Sequence, residues 1–129
     1  MSIESIVTPT GRFAYDQMHF SEAIKSDGFL FCSGIIGVDP RGKLPDSLEE
    51  EFHNVFKKAG ELLAQAGASY ADIVECTTYH VNFQGHITEF SKIRDEYLGE
   101  PWPAWTAIGI TELLVPGAHV EVRITARIP

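Results

Sequence analysis

Ser26-Asp27-Gly28-Phe29-Leu30-Phe31-Cys32-Ser33-Gly34-Ile35-Ile36 is the stretch on which the reading of the fold turns. Asp-Gly between two β-prone runs is a pair that tight hairpin turns favour, because glycine adopts positive φ without a steric penalty. Phe20 to Lys25 then forms one arm and Phe29 to Ile36 the other. The second arm is apolar at odd and even positions alike, the pattern of a central strand covered on both faces. Ser33-Gly34 interrupts it, and a polar break inside so apolar a run needs a reason.

Upstream, Ile3 to Val7 is a short β-prone run closed by Pro9 and Gly11. Downstream, Val38 to Gly42 has turn chemistry, and Asp46-Ser47-Leu48-Glu49 matches a helix N-cap followed three positions later by an acid. Leu48, Phe52, Val55, Phe56, Ala59, Leu62, Leu63 and Ala66 recur at three- and four-residue intervals, giving one apolar stripe, and Gly67 suits a left-handed stop. Ile73 to Val81 reads as a strand; Ile87, Phe90, Ile93, Arg94 and Tyr97 mark a second amphipathic helix ending near Gly99. Pro101-Trp102-Pro103 forces an extended entry into Trp105 to Thr111, and His119 to Ile128 follows across Pro116-Gly117. The order β-β-β-α-β-α-β-β predicts one α+β domain over residues 1–129, a six-stranded mixed sheet with two helices on one face. Its other face is then left for further copies of the chain.

Composition narrows the function classes. Of 129 residues, 44% are hydrophobic and 22% charged, as in ordinary globular domains rather than disordered ones. A net charge of -8 repels phosphate backbones, and the scattered Lys and Arg residues make no basic stripe, which argues against nucleic acid as a partner. The first residues show no basic region, long apolar run or cleavage-like site, and no apolar run is long enough to span a bilayer. A soluble, cytoplasmic protein without a membrane partner is expected. Cys32 and Cys76 form no CxxC pair and read as buried thiols. His19, His53, His80, His86 and His119 show neither HExxH nor zinc-ligand spacing, so no metal and no cofactor are expected. Glu49-Glu50-Glu51 reads as the solvated start of a helix, where negative charge suits the macrodipole.

Three strings resemble one family. Phe29-Leu-Phe-Cys-Ser-Gly34 is similar to the "LLFVSGQ" strand of the RidA/YjgF proteins, Ala64 to Val74 to their "EAAGASLDDVV" helix end, and Pro103-Ala-Trp-Thr106 to their "PAR[ST]" signature. With Pro103 to Gly109 and the closing Ala126-Arg-Ile-Pro129, the chain looks most like the YjgH-like branch. The resemblance covers Phe20 to the C-terminus. It implies a chorismate-mutase-like fold, a homotrimer with three equivalent clefts between subunits, and a small-molecule ligand in each. Family deaminases hydrolyse reactive enamines and imines such as 2-aminoacrylate without metal or organic cofactor; older family names speak of an endoribonuclease and of a translation inhibitor.

Carried over by position, the acid that positions water is Glu121, while the arginine that clamps the substrate carboxylate is replaced by Trp105, beside Thr106. Ser33, Phe20 and Tyr79 fall on other pocket positions of the family, with Phe20 lacking a tyrosine hydroxyl, and Ala107 stands where some members have cysteine. Each residue also has a plainer reading. Trp105 is a flat platform or core filling. Glu121 holds a water or pairs with Arg123 on the same strand face. Ser33 serves a ligand or a neighbouring backbone group. His80, on the face opposite Tyr79, reads as a packed histidine. Arg123 replaces the missing clamp or forms a surface ion pair. Two functions compete: a deaminase for an imine or enamine other than 2-aminoacrylate, and a non-catalytic trimer that binds a small aromatic or hydrophobic metabolite. An endoribonuclease is the weakest alternative, given the acidic charge.

Overall fold

The computed structural model describes residues 2–129. Strands β1 (Glu4–Ile6), β2 (Ala23–Ser26), β3 (Phe29–Cys32), β4 (Ile35–Ile36), β5 (Ile73–Val81), β6 (Ala104–Ile110) and β7 (Val120–Arg127) form one mixed sheet, in the spatial order β1-β2-β3-β7-β5-β6 with β4 also on β7. β5 and β6 run parallel and every other pair is antiparallel. Helices α1 (Leu48–Gln65) and α2 (Phe83–Arg94) pack on the sheet and against each other. No helix among the described residues is long and apolar enough to cross a membrane.

The hairpin forms where Asp27-Gly28 demands it, with φ of 52° and 79° at the two turn residues. The sheet has seven strands rather than the six expected, because the run Phe29 to Ile36 is not continuous. Phe31 pairs with Thr125 and Ile35 with Val122, so four steps on one strand answer three on the other. The extra residue is a bulge at Ser33-Gly34, and it reverses the faces: Phe31 points out, while Ile35 points into the core. A second irregularity at Val74 does the same for β5, placing Cys76, Thr78 and His80 inside and Glu75, Thr77 and Tyr79 outside. The polar break is thus a register device. Two smaller boundaries also differ from the sequence reading. Ser47, not Asp46, caps α1, accepting a hydrogen bond from Glu50 N at 3.1 Å, and α2 begins at Phe83, a turn earlier than its apolar stripe.

Val120, Val122, Ile124 and Ala126 of β7 point inward against Phe52, Val55, Leu62 and Leu63 of α1, all fully or nearly fully buried. The opposite face carries no helix, and Phe29 and Phe31 remain 41% and 43% exposed there, so β3 is covered on one side only within the chain. That open face is mixed rather than apolar, since Glu75, Glu121, Arg123 and Arg127 also lie on it.

One acid expected in solvent is inside. Glu51 is 2% exposed, and its carboxylate accepts from His119 N at 2.7 Å and pairs with His119 Nδ1 at 2.8 Å, tying α1 to the chain entering β7. It sits one turn into α1, where the helix surface has rotated toward the sheet. Beside it runs a buried polar line under α2. Trp105 Nε1 donates to Thr78 Oγ1 at 2.9 Å, Thr78 Oγ1 meets His80 Nε2 at 2.7 Å, and His80 Nδ1 meets His86 Nε2 at 3.0 Å. Phe83 stacks on His80 and Phe90 meets its edge. Burial, helped by the neighbouring His86, pushes the His80 pKa down from 6.5 to about 4.

A neutral, buried His80 makes stability depend on pH in one direction. Unfolded, the ring takes up a proton near 6.5; folded, it does so only near 4, so stability is full above 6.5 and declines as pH falls through that window. Urea unfolding between pH 7 and pH 4 should show His80→Gln losing about 1.4 kcal/mol per pH unit of the wild-type slope. Identical slopes in the two proteins would show that His80 does not take up a proton on unfolding.

Candidate functional site

The open face gathers four of the seven candidate residues. Register puts Ile36, Glu121, Tyr79 and Ile108 in one row across β4, β7, β5 and β6, and Arg123, Thr77 and Thr106 in the adjoining row. Glu121, Tyr79, Arg123 and Thr106 thus project from one surface, because each alternates with residues that face the helices, in the register that the Val74 bulge has set.

Glu121 is half-buried, and its carboxylate packs against Gly34, where the bulge leaves a position with no side chain. Among the described residues it makes no ion pair or side-chain hydrogen bond, and neither does Arg123, so the surface pair between them does not form. Desolvation raises the Glu121 pKa above the ordinary value of 4.5. The result is a carboxylate with free lone pairs that is readier than a surface glutamate to hold a proton.

Ser33 and Phe20 lie at the end of this surface and line a cavity of about 400 Å³ between β4, α1 and the segment preceding β2. Ser33 Oγ donates to Ser21 O at 2.7 Å, the plainer of its two readings. Lys58 closes the far wall, bridging from α1 to Glu22 at 3.0 Å and to the hydroxyls of Thr8 and Thr10. Phe20 is 41% exposed, near the exposed Phe13, Tyr15 and Met18 of the same segment.

Trp105 stands apart from the other candidates. It pairs in register with Cys76, on the helix side of the sheet, with its ring 6.3 Å from Phe90 and its N–H given to Thr78. Trp105 and Glu121 therefore face opposite sides, and one chain cannot bring both to one ligand. His80 is packed and hydrogen-bonded as expected for a strand histidine, and Cys32 and Cys76 are buried free thiols; burial pushes Cys32 up to about 12.

Sequence reasoning passed over two residues that matter here. Gly34 was legible only as a break, although its lack of a side chain is what admits the Glu121 carboxylate. Arg94 was counted with the apolar stripe of α2; it is 6% exposed and its guanidinium carbon lies 4.4 Å from the Trp105 ring centre. A charge on an apolar stripe was the available signal.

Comparison with known proteins identifies the family and the fold. A family model described as endoribonuclease L-PSP matches residues 13–128. The RutC family protein YjgH of Escherichia coli (strain K12) is 31% identical over 125 residues, covering 95% of this chain and 94% of that protein. The 2-iminobutanoate/2-iminopropanoate deaminase of Bos taurus is 30% identical over 112 residues, 83% of this chain and 78% of that protein. The crystal structure of YyfA from Yersinia pestis, a protein of unknown function of the conserved Rid family, superposes with a TM-score of 0.88 at 28% identity over 98% of this chain and 100% of that one.

A methyl group at Gly34 would land on the Glu121 carboxylate, and the backbone there is not in the left-handed region, so Gly34→Ala tests the packing alone. Overpacking of this kind costs about 1–3 kcal/mol. Carboxyl NMR titration should show the Glu121 pKa returning toward 4.5 in Gly34→Ala; an unchanged titration would mean that the carboxylate is not held at that spot.

Proposed function

The chain belongs to the endoribonuclease L-PSP family, the RidA/YjgF group, and from there we propose that it hydrolyses a reactive enamine or imine other than 2-aminoacrylate, in clefts between the subunits of a homotrimer. One observation carries the reading: Glu121 is a half-buried carboxylate with a raised pKa and no partner among the described residues, set beside Tyr79 and Gly34. The naming of a similar bovine protein as an imine deaminase supports the reaction class. The assembly is argued from the faces. Trp105 and Glu121 lie on opposite sides of the sheet, so a ligand that meets both takes them from two copies. The open face, with Phe29, Phe31 and Ile108 exposed, is the surface those copies cover.

The chemistry asks little of the protein. The imine carbon is already electrophilic, so a positioned water and a proton carrier are sufficient. Glu121 takes a proton from the water as its oxygen bonds to carbon and the π pair moves to nitrogen, then passes that proton to the nitrogen. In the second half it takes the hydroxyl proton of the carbinolamine and returns it to the amine as the C–N bond breaks. The products are the carbonyl compound and ammonia. No step of this reading calls for a metal or an organic cofactor. Arg123 and Thr106, in the adjoining row, offer donors to a substrate carboxylate, Tyr79 stands in register with Glu121, and Phe20 and Ser33 line the cavity beyond Gly34.

The second reading, a trimer that binds a small aromatic or hydrophobic metabolite without turning it over, draws on Trp105 standing where the family string has arginine. A panel of imines formed in situ separates the two. Ammonia release by the wild type, lost by at least a hundredfold in Glu121→Gln, supports hydrolysis. Saturable binding without ammonia supports the binder. Hydrolysis should also decline as pH falls through the raised Glu121 pKa, because only the ionised form accepts the proton, and the inflection should lie above 4.5. Light scattering at micromolar concentration should return three times the chain mass; a monomer mass would remove the clefts altogether.

A further inference from the structure

Strand β4 is bonded on one side only, to β7. On its other side the pairing of β2 with β3 runs one step past the strand ends, with Ser33 N donating to Glu22 O at 2.9 Å, and then stops. Which groups this leaves free follows from the alternation of the ladder. Val81 N donates to His119 O at 2.9 Å, so odd-numbered residues along β7 turn their N–H and C=O toward β5 and even-numbered ones turn theirs the other way. Val122 therefore exchanges bonds with its partner Ile35, and Ile36 turns both its N–H and its C=O outward, to the free edge. Neither group has a hydrogen-bond partner among the described residues.

Ile36 lines the cavity of about 400 Å³, together with Ala14, Val38, Pro40 and, from α1, Asn54 and Leu62. That volume falls within the roughly 300–1,000 Å³ of small-molecule sites. The charges at its walls are answered from within the chain. The three donors of the Lys58 ammonium go to Glu22 Oε2 at 3.0 Å, Thr8 Oγ1 at 3.0 Å and Thr10 Oγ1 at 2.7 Å, and Asp39 accepts from the N–H groups of Arg41 and Lys43. What stays uncommitted is neutral: the main chain of Ile36, and Asn54 Oδ1, since Asn54 Nδ2 is engaged with Gly37 O at 3.1 Å.

A strand residue that turns N–H and C=O the same way exchanges two hydrogen bonds with one residue opposite. The complement of Ile36 is thus a single residue of extended chain. We propose that the cavity binds a short uncharged peptide unit, an N-acylated amino-acid amide, by strand addition to Ile36, with its apolar side chain among Ala14, Val38 and Leu62. A longer strand finds nothing more to pair with, because Ser33 is already bonded to Glu22 and the chain turns at Asp39–Gly42. A free carboxylate is disfavoured, since Lys58 has no donor left for it. The α1 wall puts the site on the helix side of the β4 edge, and Glu121 has no part in it, so it stands whether or not Glu121 hydrolyses an imine.

N-acetylleucinamide is the probe, titrated into the intact protein and followed by NMR. It should move the Ile36 amide, the Asn54 side-chain amide and the Leu62 methyl signals together and saturably. N-acetylleucine should bind more weakly, and the analogue with a methylated leucine nitrogen, which lacks the central N–H, should lose roughly two- to tenfold in affinity. Ile36→Pro removes the free donor without touching a ladder bond, as prolines on strand edges do, and should weaken the probe by a similar factor. Ala14→Leu fills the cavity and should abolish binding, and it carries the test should Ile36→Pro fail to fold. An Ile36 amide that stays unmoved overturns the proposal, as does equal affinity for the methylated and unmethylated probes or in Ala14→Leu and wild type. A probe that moves Tyr79 and Glu121 signals but leaves Asn54 and Leu62 unmoved overturns it too, by placing the ligand on the open face. Probe bound at Ile36 in a protein that releases no ammonia supports this site and counts against hydrolysis alone, and ammonia release without probe binding does the reverse.

Discussion

Everything in this molecule is indexed to strand β7. It bonds to β3 and β4 on one side and to β5 on the other, and its sequence alternates without exception: Val120, Val122, Ile124 and Ala126 inward, Glu121, Arg123, Thr125 and Arg127 outward. A slip of one residue would bury two arginines and a glutamate and expose the floor of the core, so the register is fixed by burial. The neighbouring strands adapt to it. Each contributes a bulge, at Val74 and at Ser33-Gly34, and those irregularities decide which side chains share a face with Glu121. The candidate site is a consequence of register before it is a matter of chemistry.

The second organising element is polar. Glu51 with His119, and the line Trp105–Thr78–His80–His86, lie among Phe52, Phe83 and Phe90 rather than at the surface. Such lines are costly when incomplete, and this one is complete except at His86 Nδ1. What it supplies is orientation. The indole of Trp105 has its N–H anchored and its face stacked, so a residue at the edge of the sheet is held as firmly as one in the core.

Much of the fold was legible in the sequence because it rests on local rules. Asp27-Gly28 specifies its turn, the stripe from Leu48 to Ala66 specifies α1, and Ile73 to Val81 reads as a strand at its observed limits. The bulges were not legible, since an extra residue in a strand is defined only by the partner it fails to match. The site divides along the same line. Glu121, Tyr79, Arg123 and Thr106 were found by alternation and family resemblance, and register unites them. Trp105 was read beside them because sequence position carries no information about which side of a bulged sheet a residue will face. Glu51 was misjudged for a related reason: a charge looks solvated until its surroundings are known.

The central strand is also the last to be made. Until Val120 to Arg127 has left the ribosome, β3 and β5 have no common neighbour, and the chain is a hairpin with α1 on one side and a β5–α2–β6 unit on the other. Those halves cannot form a sheet by themselves, and the pairings that join them span much of the sequence, which slows folding and leaves strand edges bare in the meantime. The native sheet therefore waits on β7, and a chain cut before Val120 would hold two units with no strand to join them.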